Sequence, residues 1–269
     1  MNITLLCNRD LASNYALNLL LPKLLQHRLT LFLSAKVGGN QNAPEPLQQL
    51  RFFEQSLPNQ LLFPALGSTP CQGRLRSFDL MAEWLTTPAS ELNDINTDAG
   101  LARLRASQPD LIISIRFGVI LKEAAIAVPK LGVINLHSGL LPQYRGVMAT
   151  FWAMLHGESA IGTTLHYIAD PTIDTGAIIG TTHQPVDYNR SYLWNVLQLY
   201  PQGTQLIAST VAALAEGDTP TSKPPNGTGN YFSFPDKAHL DLFCRRNLKL
   251  VDLQDYLEHA AGYLDNESI

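Results

Sequence analysis

An asparagine and a histidine stand two residues apart at the end of an apolar run, and this pair is the part of the sequence best suited to chemistry. Asn135 can donate hydrogen bonds through its amide and does not titrate, so it suits an oxyanion that forms on a carbonyl. His137 has a side chain that ordinarily titrates near neutral pH and suits proton transfer. Because residues i and i+2 of a strand point to the same side, both groups face one pocket if the strand persists to His137.

A carboxylate further along the chain completes the candidate site. Asp174 lies in the turn-like segment Ile173-Asp174-Thr175-Gly176. It could hold and orient the imidazole of His137, or accept the proton of an attacking amine. Each of the three residues could instead have an ordinary structural role and no role in catalysis. An Asn at a strand end commonly forms a turn, a lone His is commonly a surface or core residue, and an Asp before Thr-Gly is commonly a turn residue.

The composition excludes several classes of protein. The chain has 269 residues, a net charge of −4, 45% hydrophobic and 16% charged residues, which fits one large globular domain or a main domain with an appendage. The acidic balance predicts no nucleic-acid partner and no membrane surface. Without a signal peptide or an apolar span, we expect a cytoplasmic protein. The cysteines fit neither a disulfide framework nor a metal site; they are Cys7, Cys71 and Cys244.

Apolar runs that alternate with helical patterns indicate how the candidate residues are positioned. This alternation predicts an α/β fold with a mostly parallel twisted sheet and helices on both faces. Ligands of such sheets bind beyond the carboxyl ends of the strands, where Asn8, Arg116 and Asn135 fall. No GxGxxG follows the first strand and no GxxxxGK[ST] occurs, so a phosphate cradle is missing. The predicted strands are 2–7, 29–33, 111–115, 133–136, 163–168 and 177–181.

The chain changes character after Val186. One long helical pattern covers 191–216, and a Pro/Gly-rich connector covers 218–230. We therefore predict a catalytic domain at 1–186 and a small, mainly helical C-terminal region at 187–269. Aspartates placed to cap or open helices are Asp10, Asp236 and Asp252. Two segments are predicted to be non-regular, the loop at 37–46 and the stretch 58–77.

The stretch around the Asn–His pair resembles the signature of the folate-dependent formyltransferases. From Asn135 to Gly146 it reads Asn-Leu-His-Ser-Gly-Leu-Leu-Pro-Gln-Tyr-Arg-Gly. The family pattern is roughly Asn-x-His-x-Ser-Leu-Leu-Pro-x-x-x-Gly, followed by a helix and an Asp-x-Gly loop, and the spacing from His137 to Asp174 fits it within one residue. The family includes glycinamide-ribonucleotide, methionyl-tRNA and amino-sugar formyltransferases. The resemblance runs from about Pro109 to Gly180, so it covers the whole candidate site.

This resemblance implies a Rossmann-like formyltransferase fold and an N-formyltransferase that takes its formyl group from 10-formyltetrahydrofolate, without a metal. It implies that Asn135 polarises the formyl oxygen and that His137 stabilises and protonates the tetrahedral intermediate. Asp174 is then expected to pair with His137 or to assist proton removal. The pterin is expected against the segment after strand 111–115 and the loop 169–174, largely through backbone groups. The implied donor-binding residues are Arg116, Phe117, Gly118, Val119, Ile120, Ser138 and Asp170.

The chain departs from the family pattern at two adjacent positions and in one loop. Gly139 stands where the family usually has Ser, and Ser138 stands where Pro is common. These changes are expected to shift a hydrogen bond of the loop and to leave Asn135, His137 and Asp174 in place. The loop 169–174 is one residue longer than the usual form, so the donor contacts there are expected to differ.

The choice of acceptor is narrowed by comparison with features of other members of the family. The turn Asn8-Arg9-Asp10 replaces the Gly/Ser-rich turn that holds phosphate in glycinamide-ribonucleotide enzymes. Methionyl-tRNA enzymes carry a larger C-terminal domain and need a basic surface. A formyltetrahydrofolate hydrolase would carry a regulatory domain before the first strand, at which Met1 begins. We therefore expect a small-molecule amine as acceptor, first a nucleotide-linked amino sugar and second a hydroxylamine or an amino-acid-derived amine.

Two further alternatives remain open from the sequence, one for the acceptor and one for the class of protein. Methionyl-tRNA stays as an alternative acceptor, and a non-catalytic folate-binding α/β protein stays as an alternative class. The intact Asn–His–Asp set argues against a protein without activity. The segment Asn230–Pro235 is a candidate for acceptor binding or for contacts in a homodimer, because aromatic rings beside a Gly/Pro connector can stack on a base or a sugar. Packing of the last helices is the simpler role for that segment.

Overall fold

The computed structural model describes residues 1–35, 43–67 and 74–264. Within these residues, seven strands form one sheet in the order β3-β2-β1-β4-β5-β7-β8, and β6 pairs with β9 in a separate two-stranded sheet. The strands are β1 (Asn2–Asn8), β2 (Arg28–Ser34), β3 (Ser90–Glu91), β4 (Leu111–Ile115), β5 (Val133–His137), β6 (Tyr144–Gly146), β7 (Ala160–Ile168), β8 (Ile178–Pro185) and β9 (Asn230–Phe232).

Strand direction confirms the mostly parallel sheet predicted from the sequence. Strands β1 to β5 run parallel to one another, whereas β7 runs antiparallel to β5, and β8 runs antiparallel to β7. The central strand β4, Leu-Ile-Ile-Ser-Ile, is buried along its whole length. A parallel strand covered on both faces is expected to be a continuous apolar run of this kind. Strand β5 persists to His137, one residue beyond the predicted end.

Helices cover both faces of the sheet. On one face, Leu17, Phe151 and Ile207 from the helices pack in a cluster with alternate residues of the strands. On the opposite face, Leu104 and Ala125 pack in a second cluster. The helices are α1 (Leu11–Leu20), α2 (Glu45–Arg51), α3 (Phe63–Ala65), α4 (Asp98–Ala106), α5 (Glu123–Ile126), α6 (Ala149–His156), α7 (Tyr192–Leu197), α8 (Tyr200–Glu216), α9 (Lys237–Arg245) and α10 (Leu253–Ala260).

Three helices begin at the aspartates that the sequence placed there. Asp10 accepts a hydrogen bond from the backbone of Ser13 at the start of α1, Asp236 caps α9, and Asp252 caps α10. A side-chain oxygen at this position accepts one of the N–H groups that the first helical turn leaves without a partner. The capping interaction is local in sequence, which is why the pattern predicted it.

Two element predictions were wrong. The single helix predicted at 191–216 is two helices, α7 and α8, because Pro201 fits the first turn of a new helix and cannot donate a backbone hydrogen bond inside a long one. Part of the stretch predicted to be irregular is helical: wide helical turns continue from α2 through α3, and Pro58 begins one of these turns. The predicted loop 37–46, the stretch 58–77 and Cys71 lie partly or wholly outside the described residues.

A half-buried histidine in α10 makes the stability of the fold depend on pH. The ring of His259 packs edge-on against Tyr15, with ring centroids 4.6 Å apart, and its Nε2 has no hydrogen-bond partner in the described part of the chain. Burial lowers the pKa of His259 from 6.5 to about 4. Since the unfolded chain takes up this proton at higher pH, stability is retained above the ordinary histidine pKa and is lost as pH falls towards about 4.

We expect the wild type to lose about 2–3 kcal/mol more unfolding free energy than His259→Gln between about pH 7 and about pH 4.5. The Gln variant keeps a side chain of similar size and removes the proton-binding nitrogen. Urea unfolding of both proteins at the two pH values measures the difference. Equal pH dependence in the two proteins would show that His259 does not contribute to acid sensitivity.

Candidate active site

Strand β5 brings Asn135 to a position opposite a histidine of the neighbouring strand. In the antiparallel pairing of β5 with β7, Asn135 lies opposite His166. The amide Nδ2 of Asn135 is 3.1 Å from Nε2 of His166. Nδ1 of His166 is 2.9 Å from the carbonyl oxygen of Tyr167, which can only accept, so Nδ1 carries the proton of the neutral ring. His166 Nε2 then accepts from Asn135, and this bond fixes the orientation of the Asn135 amide.

The ring of His137 is held at both nitrogens. Nε2 is 2.6 Å from the backbone oxygen of Tyr144, which can only accept, so Nε2 carries a proton. Nδ1 lies 3.5 Å from Oδ2 of Asp174. The side chain of His137 is 8% exposed. Nδ1 is therefore the nitrogen that can gain or release a proton in the site, and it does so next to a carboxylate.

Asp174 lies in the loop between β7 and β8 and contacts both histidines. Its Oδ2 accepts a hydrogen bond from the backbone N–H of Gly146 at 2.8 Å, and its Oδ1 lies 3.5 Å from Nε2 of His166. Burial by itself would raise the pKa of Asp174. The protonated forms of His137 and His166, which would attract or donate to the carboxylate, and the hydrogen bond from Gly146 outweigh burial and lower the pKa to about 2. Asp174 is thus a carboxylate at neutral pH.

The structure therefore brings together Asn135, His137 and Asp174 and adds His166 to them. His166 was missed from the sequence because a histidine within a predicted strand is ordinarily a packing residue. The only signal was a polar side chain in the middle of the run Thr163–Ile168, at a position that proves to be 2% exposed. Pairing between strands that are separated in sequence gives that position its neighbours.

The departure at Gly139 has a local steric reason. A Cβ atom added to Gly139 would lie 2.4 Å from the Cβ of Ala149 and 2.7 Å from Nε2 of His137. The backbone oxygen of Gly139 accepts a hydrogen bond from the hydroxyl of Thr164 at 2.7 Å, and the same hydroxyl accepts from the N–H of Leu141. A serine would need the loop to move. Glycine at this position therefore leaves the space that the ring of His137 occupies in this chain.

A cavity of about 500 Å³ opens beside these residues. The implied donor-binding residues all line it. The described residues of its wall are Asn8, Asp10, Glu54, Ser114, Arg116, Phe117, Gly118, Val119, Ile120, Leu121, Asn135, Leu136, His137, Ser138, Gly146, Val147, Met148, His166, Ile168, Asp170, Pro171, Thr172, Ile173, Asp174, Tyr192, Tyr231, Ser233 and Phe234.

A network of charged side chains forms the inner end of this cavity. Arg116 donates from Nε to Oδ2 of Asp10 and from Nη2 to Oε1 of Glu54, both at 3.0 Å. Asn8 donates to the same oxygen of Asp10 at 2.8 Å. Burial raises the pKa of Glu54 to about 6, although the positive charge of Arg116 opposes the shift. The side chain of Arg116, which was expected to contact the pterin region, is thus engaged by two carboxylates.

The segment after the connector divides its aromatic residues between the cavity and the protein interior. Phe232 stacks on Tyr144 and Trp152, with ring centroids 5.5 and 4.9 Å apart. Tyr231 and Phe234 line the cavity and are 54% and 41% exposed. Neighbouring residues of a strand point to opposite sides, so β9 can pack inward and still present rings to the cavity. Phe232 thus has a packing role, but its ring partners belong to β6 and α6 and not to the last helices.

Gly146 couples this segment to the site, and we expect Gly146→Ala to damage both stability and activity. Its φ angle is +95°, and an added Cβ would lie 2.1 Å from the backbone oxygen of Phe232. Separation of β6 from β9 would also move the N–H that holds Asp174. We expect a loss of about 2–4 kcal/mol in unfolding free energy and at least about a tenfold loss of kcat.

A second glycine offers a matched control for the Gly146 substitution. Gly157 has a φ angle of +80°, and no atom lies within 4 Å of the Cβ that would be added to it. Gly157→Ala therefore isolates the cost of the left-handed backbone, about 1 kcal/mol. Urea unfolding and steady-state kinetics of both variants give the comparison. Equal losses of unfolding free energy in the two variants would mean that the contact with Phe232 adds nothing to the cost of the left-handed backbone.

The sheet order and a site beyond the carboxyl ends of β4 and β5 define a Rossmann-like α/β protein. Residues 70–193 match the family model described as Formyl transferase. The matched residues include Asn135, His137 and Asp174, and the family is the one that the signature resembles. No helix among the described residues is long and apolar enough to cross a membrane.

Methionyl-tRNA formyltransferases are among the curated relatives in sequence. The enzyme from Synechococcus sp. (strain JA-3-3Ab) is 36% identical over 118 residues, which are 44% of this chain and 36% of the relative. The enzyme from Acidothermus cellulolyticus is 32% identical over 164 residues, which are 60% of this chain and 49% of the relative. The match thus spans less than half the length of these relatives.

Solved structures of formyltransferases share the fold. A sugar N-formyltransferase from Shewanella aligns over 100% of this chain and 90% of its own, with a TM-score of 0.56 and 17% identity. The N-formyltransferase from Helicobacter canadensis, in complex with folinic acid and dTDP-3-aminofucose, aligns over 87% of this chain and 71% of its own, with a TM-score of 0.52 and 18% identity. The Rossmann-like formyltransferase fold expected from the sequence is thereby confirmed.

Proposed function

We propose that the protein transfers a formyl group from 10-formyltetrahydrofolate to the amine of a small molecule. The observation that carries the proposal is the set of Asn135, His137 and Asp174 in the wall of one cavity, within the residues that match the formyl transferase family. Amine attack on a formyl group needs a donor for the developing oxyanion and a group that moves a proton. The side chains present supply both.

The residues have distinct parts in the proposed reaction. The amine nitrogen forms a bond to the formyl carbon, and the bond between that carbon and N10 of the folate breaks. The amide of Asn135, oriented by His166, donates to the formyl oxygen as charge develops on it. Nδ1 of His137 takes the proton released by the amine and returns it to the leaving nitrogen, while Asp174 stabilises the imidazolium between these steps. No net proton is gained or lost by the protein.

The cavity wall fits a flat heterocycle on the side of the implied donor residues. The wall is formed there by residues 116–121 and by the loop that holds Asp170 and Asp174. Ile120 is 57% exposed, which leaves an apolar side chain at this edge without a partner. Main-chain groups and an apolar side chain are the usual means of holding and orienting a ligand ring.

Two acceptor classes are suggested by related proteins. The Helicobacter canadensis enzyme is in complex with a nucleotide-linked amino sugar, dTDP-3-aminofucose. In this chain, the exposed rings of Tyr231 and Phe234 beside the cavity can stack on a base or sugar. Methionyl-tRNA is named for the curated relatives, but a net charge of −4 offers no general attraction for RNA. An amino-acid-derived amine is a further candidate, because the inner end of the cavity is built around carboxylates.

A binding assay and a transfer assay test the proposal together. Calorimetry with 5-formyltetrahydrofolate, a stable analogue, is expected to give saturable binding at one site per chain. Incubation with 10-formyltetrahydrofolate and an amine panel, followed by mass spectrometry, is expected to give an acceptor heavier by one formyl group. Binding without transfer to any amine would favour a non-catalytic folate-binding protein, and absence of binding would overturn the donor assignment.

A further inference from the structure

Apart from Arg116, the residues at the inner end of the cavity lie outside the implied donor-binding set. It lies beyond β1 and β4, where Asn8, Asp10 and Arg116 meet, and Glu54 joins it from the turns after α2. The reacting groups lie on β5, on the other side of β4 from β1. A ligand that enters next to Asn135 and extends away from the pterin segment therefore reaches this charged end.

The charges at the inner end do not cancel. Asp10 is satisfied by Asn8, by the N–H of Ser13 and by Arg116, and its side chain is 1% exposed. Glu54 receives one hydrogen bond, from Arg116 to Oε1, and its Oε2 has no partner among the residues that the structure describes. Two carboxylates face one guanidinium, so one negative charge is left over at the wall.

Negative charge also exceeds positive charge over the rest of the described wall. Over the described lining residues, one permanent cation, Arg116, stands against the carboxylates of Asp10, Glu54, Asp170 and Asp174. A diphosphate placed against these described residues would lose its hydration without gaining a free cationic partner among them. An ammonium group would instead gain a charge-assisted hydrogen bond at the open oxygen of Glu54.

We propose that Glu54 binds the acceptor and that the acceptor is a small, unphosphorylated amine with a second cationic group, a diamine or a basic amino-acid derivative. This inference rests on the proposed formyl transfer and names its substrate class. Neighbouring strands lie about 4.8 Å apart, so the inner end lies about 5–10 Å from β5. After a contact of about 3 Å at each end, the two nitrogens of the acceptor are separated by a few carbon atoms.

Two amines of matched length test the charge requirement directly. Putrescine and 4-amino-1-butanol differ in one terminal group, an ammonium in the first and a hydroxyl in the second. We expect wild type to formylate putrescine with a kcat/KM about 10- to 100-fold higher than 4-amino-1-butanol. L-Ornithine is expected to behave as putrescine does, and a dTDP-linked 4-amino sugar is expected to be a poor acceptor.

A substitution at Glu54 and a matched control assign this preference to one side chain. Glu54→Gln is expected to raise KM for putrescine about 10- to 100-fold, to change kcat less than about threefold, and to remove the preference over 4-amino-1-butanol. Glu45→Gln, at an exposed position of α2, is expected to leave all values unchanged. Affinity for 5-formyltetrahydrofolate is expected to be the same in the three proteins, which separates the acceptor end from the donor end.

Each outcome decides something. Transfer to the dTDP-linked sugar but to neither cationic amine would overturn the inference and leave the proposed formyl transfer intact. Equal rates with putrescine and 4-amino-1-butanol in wild type would overturn it even if Glu54→Gln failed to fold. Absence of transfer to every amine would overturn the inference, and absence of folate binding in the same preparation would overturn the proposed function as well.

Discussion

His137→Ala is expected to lower kcat/KM for formyl transfer by about 10²- to 10⁴-fold, the range that a positioned proton-transfer group contributes. The loss is expected in kcat, because Nδ1 of His137 acts while the amine attacks and the folate nitrogen leaves. Affinity for 5-formyltetrahydrofolate is expected to stay within about threefold of wild type, since the pterin segment lies on another loop. Steady-state kinetics and calorimetry on the same preparation measure both quantities.

The control for this variant is a histidine outside the site. His183 lies on β8 with an exposed side chain whose Nε2 is 3.2 Å from the hydroxyl of Thr181. His183→Ala is expected to leave kcat and KM unchanged. A His137→Ala enzyme that keeps more than about a tenth of wild-type kcat would show that another group moves the proton.

Asp174→Asn is expected to cost about 10²- to 10⁴-fold in kcat, a size comparable to that of removing the charge that orients a catalytic histidine in other enzymes. The amide oxygen can still accept from the N–H of Gly146, so the loop is expected to keep its place. What is lost is the negative charge 3.5 Å from Nδ1 of His137 and from Nε2 of His166. The imidazolium formed during the reaction would then have no counter-ion.

The same variant is expected to change the dependence of stability on pH. The pKa of Asp174 is lowered from 3.8 to about 2, so its ionised form stabilises the folded state. This contribution, about 2 kcal/mol, is present above the ordinary aspartate pKa and is lost as pH falls through about 2. Asp174→Asn is expected to lack it at neutral pH, which urea unfolding at neutral and acidic pH would show.

Asp79→Asn provides the comparison for both readouts, because the side chain of Asp79 is 93% exposed. It is expected to match wild type in kcat and in unfolding free energy. If Asp174→Asn kept full activity, the only role of the Asp174 side chain would be to hold the loop in place. Proton transfer by His137 would then not need the charge of Asp174. A higher KM for the acceptor with an unchanged kcat would indicate that Asp174 acts in acceptor binding instead.

The sequence by itself determined the features that depend on neighbouring residues. Apolar runs flanked by turn residues gave the strands, and aspartates at helix starts gave the caps of α1, α9 and α10. Asn135 and His137 were assigned to one face because positions i and i+2 of a strand always share it. Asp174 was proposed from its own segment, and the family resemblance supported it through the spacing from His137.

Only the tertiary structure decided which distant residues join this set. His166 meets Asn135 because β7 pairs antiparallel with β5 in one register, and no local pattern specifies a register. Glu54 reaches Arg116 across a large separation in sequence, a contact that no local pattern specifies. The division of β9 into an inward Phe232 and an outward Tyr231 likewise follows from its pairing with β6. Contacts between distant segments depend on how the whole chain packs. Local spacing therefore predicted the proposed reacting groups, but it did not predict the residues that orient them or that are proposed to bind the acceptor.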